Sequence, residues 1–493
     1  MTRQNAQALE GLEPQKVFSY FGEIASIPHG SKNEKQLSDF ICRLGREKGW
    51  EVFQDEHYNV VLKKEASPGY ERVPALLMQA HLDMVCEKVP GVEHDFLRDP
   101  LKLYRDGRYL RAKGTTLGAD NGIGVALLLA VLDTEGLCHP RLEVLLTADE
   151  EAGMSGIRGF DGRIITAEHL LNLDSKMDSL TVACAGGQWF SFRMPLGRTV
   201  SRKDKTFRIV VDGLRGGHSG AEIDKGRGNA IRLMTRILTD LRAVMAAEIV
   251  GVEGEGKANV IPRRAQARVN VSDGQALREF LERWQDLLSR EWRNTDGGVT
   301  VRCEEMEYCR QVLTEDAACR LLRCILLVPS GTLLHDFNSG EAVYSNNLGV
   351  LTCGTDTAEI TCLARSSIPS LLSSDYLPAM EAVAEALGIH GKAGESFPCW
   401  EYVEDSPIRK VCEETYFQLN GRFPEIISRH AGSECGYILA VCPTLRDAVA
   451  TGARLFHMHT TDECLDIDSV GPAFRCLCQV LEGMIRLADR EER

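Results

Sequence analysis

Three short apolar runs in the first third of the chain each lead into residues of the kind that bind metal ions, and this pattern limits the fold more than any other. Residues 74–80 end at His81-Leu82-Asp83, Leu142–Thr147 leads to Asp149-Glu150-Glu151, and residues 169–173 end at Asp174. Runs of this length read as buried strands. Between them, residues 122–132 form an apolar helix of the kind that packs on a sheet. Residues 34–48 form an amphipathic helix with Leu37, Phe40, Ile41 and Leu44 at helical spacing. Strand–helix–strand order predicts an α/β domain, a largely parallel or mixed sheet flanked by helices. Open α/β sheets bind ligands at the carboxyl ends of their strands, so these residues are expected to converge on one edge. A fourth element, Gly118-Ala119-Asp120-Asn121-Gly122, sits just before a helix and brings Asp120 with it.

Taken singly, each motif has an ordinary reading. A His–Asp pair is commonly incidental, adjacent glutamates at a strand end are commonly a solvated charge pair, and an aspartate before a helix is commonly an N-cap. The glycines of GADNGIG lack the spacing of a phosphate loop, and Asp120 would repel phosphate. The conjunction is more specific. One histidine and three carboxylates at element ends, with a histidine late in the chain, match a two-metal hydrolytic site, in which a carboxylate bridges ions roughly 3.5–4 Å apart. Mixed nitrogen and oxygen ligation suits zinc, with manganese or cobalt as substitutes.

The rest of the sequence bounds the context. At 493 residues the chain is too long for one ordinary core. Its net charge of −14 disfavours nucleic acid and anionic membranes as partners. The 17 cysteines form no CxxC pair, the polar start MTRQNAQALEGLEP lacks a secretory apolar core, and no long apolar window suggests a membrane span. A cytoplasmic protein with reduced thiols is the expectation.

After Gly186-Gly187 the pattern changes. Strand 206–212, helix 229–248, strands 258–262 and 265–271, helix 274–290 and strand 298–304 are followed by a weaker second round. That round has helix 314–328, strands near 347–353 and 357–364, and helix 371–387. Asn259-Val260-Ile261-Pro262 with Ala267-Arg268-Val269 faintly resembles Asn347-Leu348-Gly349-Val350 with Leu363-Ala364-Arg365, which reads as a doubled α+β unit. Helix 407–419, the run 425–428 and helix 469–488 then return to α/β character. The expected organisation is an α/β catalytic domain over 1–188 and 399–493, with an inserted α+β lid domain over 189–398.

The strings HLDMV (81–85), GADNGIG (118–124), TADEEAGMSG (147–156) and LNLDS (171–175) resemble the zinc peptidase family of carboxypeptidase G2, aminoacylase-1 and carnosinase. CAGGQ (184–188), GGHSG (216–220), HAGSECG (430–436) and HTTDE (459–463) extend the likeness along the chain, and within the family it is greatest to the bacterial aminoacyl-histidine (Xaa-His) dipeptidases. The resemblance implies two zinc ions per chain, one held by His81, Asp120 and Asp174, the other by Asp120, Glu151 and His459. His457 is the alternative late histidine and is expected as a neighbour on the same strand. The resemblance also implies that Asp83 accepts a hydrogen bond from His81 and that Glu150 is the general base for a zinc-bridged hydroxide. His218 would stabilise the oxyanion from the lid. Asn259 and Arg365 would hold substrate, Arg365 at the free carboxylate, and Glu434 would meet the amino group. The implied substrate is a dipeptide of Xaa-His type, and a homodimer is compatible with this reading. A deacylase of N-acyl amino acids on the same scaffold is the rival, disfavoured by the doubled lid. A non-enzymatic metal-binding scaffold would have no need of Glu150. The segment 335–349 follows the family pattern only loosely before Ser-Asn-Asn-Leu-Gly, which leaves substrate preference open.

Overall fold

The computed structural model describes residues 1–254, 256–336 and 340–487, and these form two compact units. The first comprises Met1–Ala183, Tyr402–Ser428 and the chain from Glu434 onward; the second comprises Cys184–Glu401 and Arg429–Ser433.

The first unit is built on an eight-stranded mixed sheet. Its order is Glu51–Gln54, Val60–Lys64, Leu142–Thr147, Leu76–His81, His169–Asn172, Asp447–Ala450, Ser179–Cys184 and Glu425–Arg429. The four central strands, Leu142–Thr147 to Asp447–Ala450, are mutually parallel. They are buried along their whole length. Burial on both faces explains why they read as continuous apolar runs rather than as an alternation. Parallel direction puts the positions after Thr147, His81 and Asn172 on one edge. The helix Ala119–Leu132 is buried at every residue and packs against the strand ending at His81 and the helix Gln15–Ile24, so its sequence is apolar all round. The late part of the chain is fastened to this sheet by a buried polar group. Asp447 meets His169 Nδ1 at 2.5 Å and accepts from Ser406 Oγ at 2.6 Å, while Ser406 caps the helix Pro407–Asn420.

The second unit is a doubled structure. Eight strands of its nine-stranded sheet run Thr300–Met306, Lys205–Asp212, Ala265–Val271, Glu248–Gly254, Ala342–Cys353, Thr357–Ser366, Gly186–Pro195, His390–Phe397, and the ninth, Gly331–His335, pairs off this path with Ala342–Cys353. The first four strands, with helices Ala230–Met245 and Gly274–Glu291, form one half. The last four, with helices Glu315–Leu327 and Leu377–Leu387, form the other. Counting only the eight strands of the main path, both halves use their second, third, first and fourth strands in chain order from the centre outward. They meet where Gly254 pairs with Leu351. The first half is inserted between the first strand and first helix of the second. Of the two sequence likenesses, Ala267–Val269 and Leu363–Arg365 fall on equivalent strands, whereas Asn259–Pro262 lies beyond the strand equivalent to Ala342–Cys353.

Several expectations are corrected. The helix expected over 229–248 ends at Met245, because Ala246 adopts a left-handed backbone with φ +49°. An unexpected strand, Glu248–Gly254, follows at once. In place of strand 258–262 there is only the two-residue Val260–Ile261. His457 is not on a strand: it lies in the turn after Leu455–Phe456, with φ +54°. The final helix spans Ile467–Gly483, and residue 488 lies outside the described residues, as do 337–339 of the divergent segment. Among the described residues no helix is long and apolar enough to cross a membrane.

Candidate metal centre

The strand edge of the first unit gathers His81, Asp120, Glu150, Glu151, Asp174 and His459. Ligand-type atoms of His81, Asp120 and Asp174 lie within 4.8 Å of one another, and so do those of Asp120, Glu151 and His459. His81, Glu150 and Glu151 form a third such group. Asp120 thus belongs to two groups of three. Its Oδ1 is 3.4 Å from His81 Nε2 and its Oδ2 is 3.2 Å from His459 Nε2. His459 Nε2 is also 2.9 Å from Glu151 Oε1.

Local structure aims these side chains. His81 Nδ1 lies 3.0 Å from the carbonyl of Asp83 and 3.5 Å from its Oδ1, so Nε2 is the nitrogen turned to the cluster. The Asp83 carboxylate accepts from the amides of Glu150 and Glu151, at 3.0 and 3.1 Å, and from Ser31 Oγ at 2.7 Å. It therefore fixes the turn that carries both glutamates as well as facing His81. Asn121 donates to Asp174 Oδ1 at 3.3 Å. His459 holds a left-handed backbone, φ +63°, a strained conformation of the sort stored at functional sites.

Electrostatics follow from crowding. Burial pushes the Glu150 carboxyl well above its usual range; Asp174, Glu434 and Glu151 add to this, and His81 opposes it. Burial would lower the His81 pKa, but Asp120 and Asp83 outweigh it and raise it well above the ordinary value. Asp120 and Glu151 raise His459 to about 10. Four converging carboxylates with two imidazoles need more positive charge than the rings supply. His459 Nε2 lies 2.9 Å from Glu151 Oε1 and 3.2 Å from Asp120 Oδ2, so the imidazole and both carboxylates face one point. Carboxylate and imidazole donors around shared points are the donor set of divalent zinc-type ions, and the residues present fit such a pair.

Glu434 is buried at the first helical position of Glu434–Val441. Its Oε2 accepts from Gln79 Nε2 at 2.6 Å and from Thr147 Oγ1 at 2.7 Å, and its pKa is pushed up to about 7, chiefly by burial. Gln79 in turn bonds Asn172, whose Oδ1 accepts from the amide of Asp174 at 2.9 Å. Sequence reasoning missed Gln79 and Asn172. A signal existed: each is a polar residue in an apolar strand, two positions before His81 or Asp174 and hence on the same face. It missed Glu463 too, although this residue closes the HTTDE motif. The two oxygens of Glu463 accept the amides of Leu117, Gly118, Ala119 and Asp120.

In the second unit, His218, Asn259 and Arg365 come together. His218 pairs with Val260 across two short strands, and the Ser219 amide donates to the Asn259 carbonyl at 2.9 Å. Arg365 is buried over the Phe397 ring and reaches Ser219 Oγ at 3.4 Å. Burial lowers its pKa to about 10. Asn259 itself is exposed.

Comparison with known proteins adds to this geometry. Residues 209–296 match a family model described as a peptidase dimerisation domain. The chain is 35% identical over 480 residues, covering 96% of itself and 98% of the relative, to the cytosol non-specific dipeptidase of Escherichia coli strain K12. The crystal structure of aminoacylhistidine dipeptidase from Vibrio alginolyticus superposes with a TM-score of 0.90 at 34% identity, covering 96% and 97% of the two chains. A tripeptidase from Staphylococcus aureus shares the fold, with a TM-score of 0.58 at 16% identity over 96% and 99% of the chains.

Proposed function

The chain belongs to the M20 metallopeptidase family that includes the cytosol non-specific dipeptidase, and from that premise we propose that it is a cytoplasmic dipeptidase of broad range that accepts Xaa-His substrates such as carnosine. The names of the two relatives at 34–35% identity support this range, one being non-specific and the other an aminoacylhistidine dipeptidase. The observation that carries the reading is Asp120, one carboxylate shared by two three-residue ligand groups.

His81, Asp120 and Asp174 would hold one zinc ion, and Asp120, Glu151 and His459 the other, with manganese or cobalt as substitutes. Such a pair of ions polarises the scissile carbonyl and lowers the pKa of a water to about 7. Glu150 takes the proton of the attacking water and returns it to the leaving amine. Asp83 keeps the turn bearing Glu150 in place by accepting hydrogen bonds from the backbone amides of Glu150 and Glu151. His218 donates to the oxyanion, Arg365 pairs with the substrate carboxylate, and Asn259 supports the bound peptide. We assign residues 1–188 and 399–493 to catalysis and 189–398 to the lid.

The test is a substrate panel on purified protein, with metal analysis. Carnosine and other dipeptides should be cleaved, chelation should stop turnover, and zinc should restore it. Preference for N-acetyl amino acids over every dipeptide would establish a deacylase instead.

A further inference from the structure

Glu463 is 3% exposed, and its carboxylate is met by four consecutive backbone amides. Oε2 accepts from Leu117 at 2.8 Å and Gly118 at 3.1 Å; Oε1 accepts from Ala119 at 2.9 Å and Asp120 at 3.2 Å. A carboxylate offers about four lone-pair sites, so this one is filled. The donors lie in the turn that leads into the helix Ala119–Leu132, whose regular backbone sets in only after Asp120 and Asn121, so these amides have no partner within the helix. Gly118 permits the approach: its φ is +66°, and a Cβ there would lie 2.6 Å from Met84 Sδ.

A helix cap would be an ordinary finding were it not for what lies at each end of it. One end grips the segment that carries Asp120. The other belongs to the turn that carries His459, four residues earlier. That turn is closed on itself: Thr460 Oγ1 donates to the His457 carbonyl at 2.7 Å and accepts from the Asp462 amide at 3.2 Å, and the Glu463 amide donates to the Thr460 carbonyl at 3.1 Å. A rigid turn with a buried carboxylate at its foot thus holds the His459 imidazole at a fixed offset from Asp120, and the two side chains meet at 3.2 Å.

We propose that Glu463 is a positioning residue that locks Asp120 and His459 into register, so that both stand ready for metal before any arrives. The inference rests on the functional reading above for the identity of the ligands, but not for the clamp itself. Neither glutamine nor alanine can replace the carboxylate. Glu463→Gln sets an NH2 group against two of the four amides, and Glu463→Ala leaves all four unpaired.

The experiment uses the full chain. Metal-free wild type, Glu463→Gln and Glu463→Ala are compared by amide hydrogen exchange, and zinc affinity is measured by competition with a chromophoric chelator. Ser406→Ala, which removes a cap from the helix Pro407–Asn420 in the same unit, controls for general destabilisation. The expected result is faster exchange at 117–120 together with 457–463 in the metal-free variants. Zinc affinity should fall by about 10–100-fold, as when partners that orient metal ligands are lost, whereas Ser406→Ala leaves it unchanged. Unchanged protection at 117–120, or an affinity loss no larger than that of Ser406→Ala at equal stability, would overturn the proposal. Wild type that took up no zinc would refute the functional reading, while the exchange comparison would still decide this one. If Glu463→Gln does not fold, Glu463→Ala supplies the same comparison, and failure of both beside a folded Ser406→Ala would overturn the role in favour of a purely structural one.

Discussion

The amides of Gly220 and Ala221 both point at Nδ1 of His218, at 3.2 and 3.1 Å, so that nitrogen is an acceptor and the ring proton sits on Nε2. Burial and the charge of Arg365 lower the His218 pKa, which keeps the ring neutral at pH 7 with a single outward donor. A donor of this kind contributes only where charge develops. His218→Ala should therefore retain both metals and its KM, and lose kcat by about 10²–10³-fold; loss of metal on elemental analysis would contradict the oxyanion role. Glu150→Gln should also keep its metal while losing turnover by at least about 10²–10⁴-fold. A variant retaining a tenth of wild-type activity would place the base elsewhere. His430 gives a pH dependence. Burial first, and Arg365 second, depress its pKa from 6.5 to about 4, with Nε2 2.7 Å from Ser345 Oγ. Between those values the unfolded chain binds a proton that the folded chain refuses, so stability is present above pH 6.5 and is lost as pH falls toward 4. The loss amounts to at most on the order of 3 kcal/mol. Melting temperatures of His430→Asn should fall less between pH 7.5 and pH 5 than those of wild type; parallel decline would refute the assignment.

At the scale of elements, caps show how much one side chain can join. Asn229 Oδ1 accepts the amides of Ile231 and Arg232 at the start of one half's first helix, while its Nδ2 donates to the Leu348 carbonyl in the other half at 2.9 Å. Asp273 caps the helix Gly274–Glu291 through two amides alone. Replacing a cap by alanine costs about 1 kcal/mol, and a lost buried hydrogen bond adds about as much again. Denaturant titration should thus find Asn229→Ala roughly 1 kcal/mol less stable than Asp273→Ala, and equal values would mean that the bond to Leu348 contributes nothing. Elements with a strong local signal were legible in the sequence. The strands Leu142–Thr147 and Ala265–Val271 were legible to the residue, and the helix Gly274–Glu291 to within one. Glu248–Gly254 was missed because apolar residues continue from the preceding helix and only the backbone of Ala246 marks the break. The gathering of His81, Glu151 and Asp174 on one edge was legible because parallel strands put their carboxyl ends together, and Asp120 joins them from the start of the helix Ala119–Leu132. Glu463 was not, because its partners are backbone amides more than 340 residues away, and amides leave no trace in side-chain spacing.

For the whole molecule, the doubled sheet bears on how His218 works. The dimerisation-domain model matches residues 209–296, which lie within one half of the second unit. A single copy of that half would expose the edge of Glu248–Gly254, and an open edge is a template for pairing with another chain. Here the end of that edge, at Gly254, pairs with Leu351 of the same chain, in a half with the same order of its four main strands. At that point of the edge a contact that a second chain could otherwise supply is made within the chain, which joins the two halves into one sheet. If His218 acts as proposed, it should then act on the active site of its own chain. The measurement mixes His218→Ala with Glu150→Gln after confirmed subunit exchange. Either protein alone keeps at most about a hundredth of wild-type turnover, and a site assembled within one chain stays at that level in every mixed species. A site completed across an interface would instead recover up to about a quarter of wild-type turnover by random pairing, each mixed dimer holding one intact site and half the molecules being mixed. Recovery near that level would show that the internal pairing does not replace a partner; none is expected.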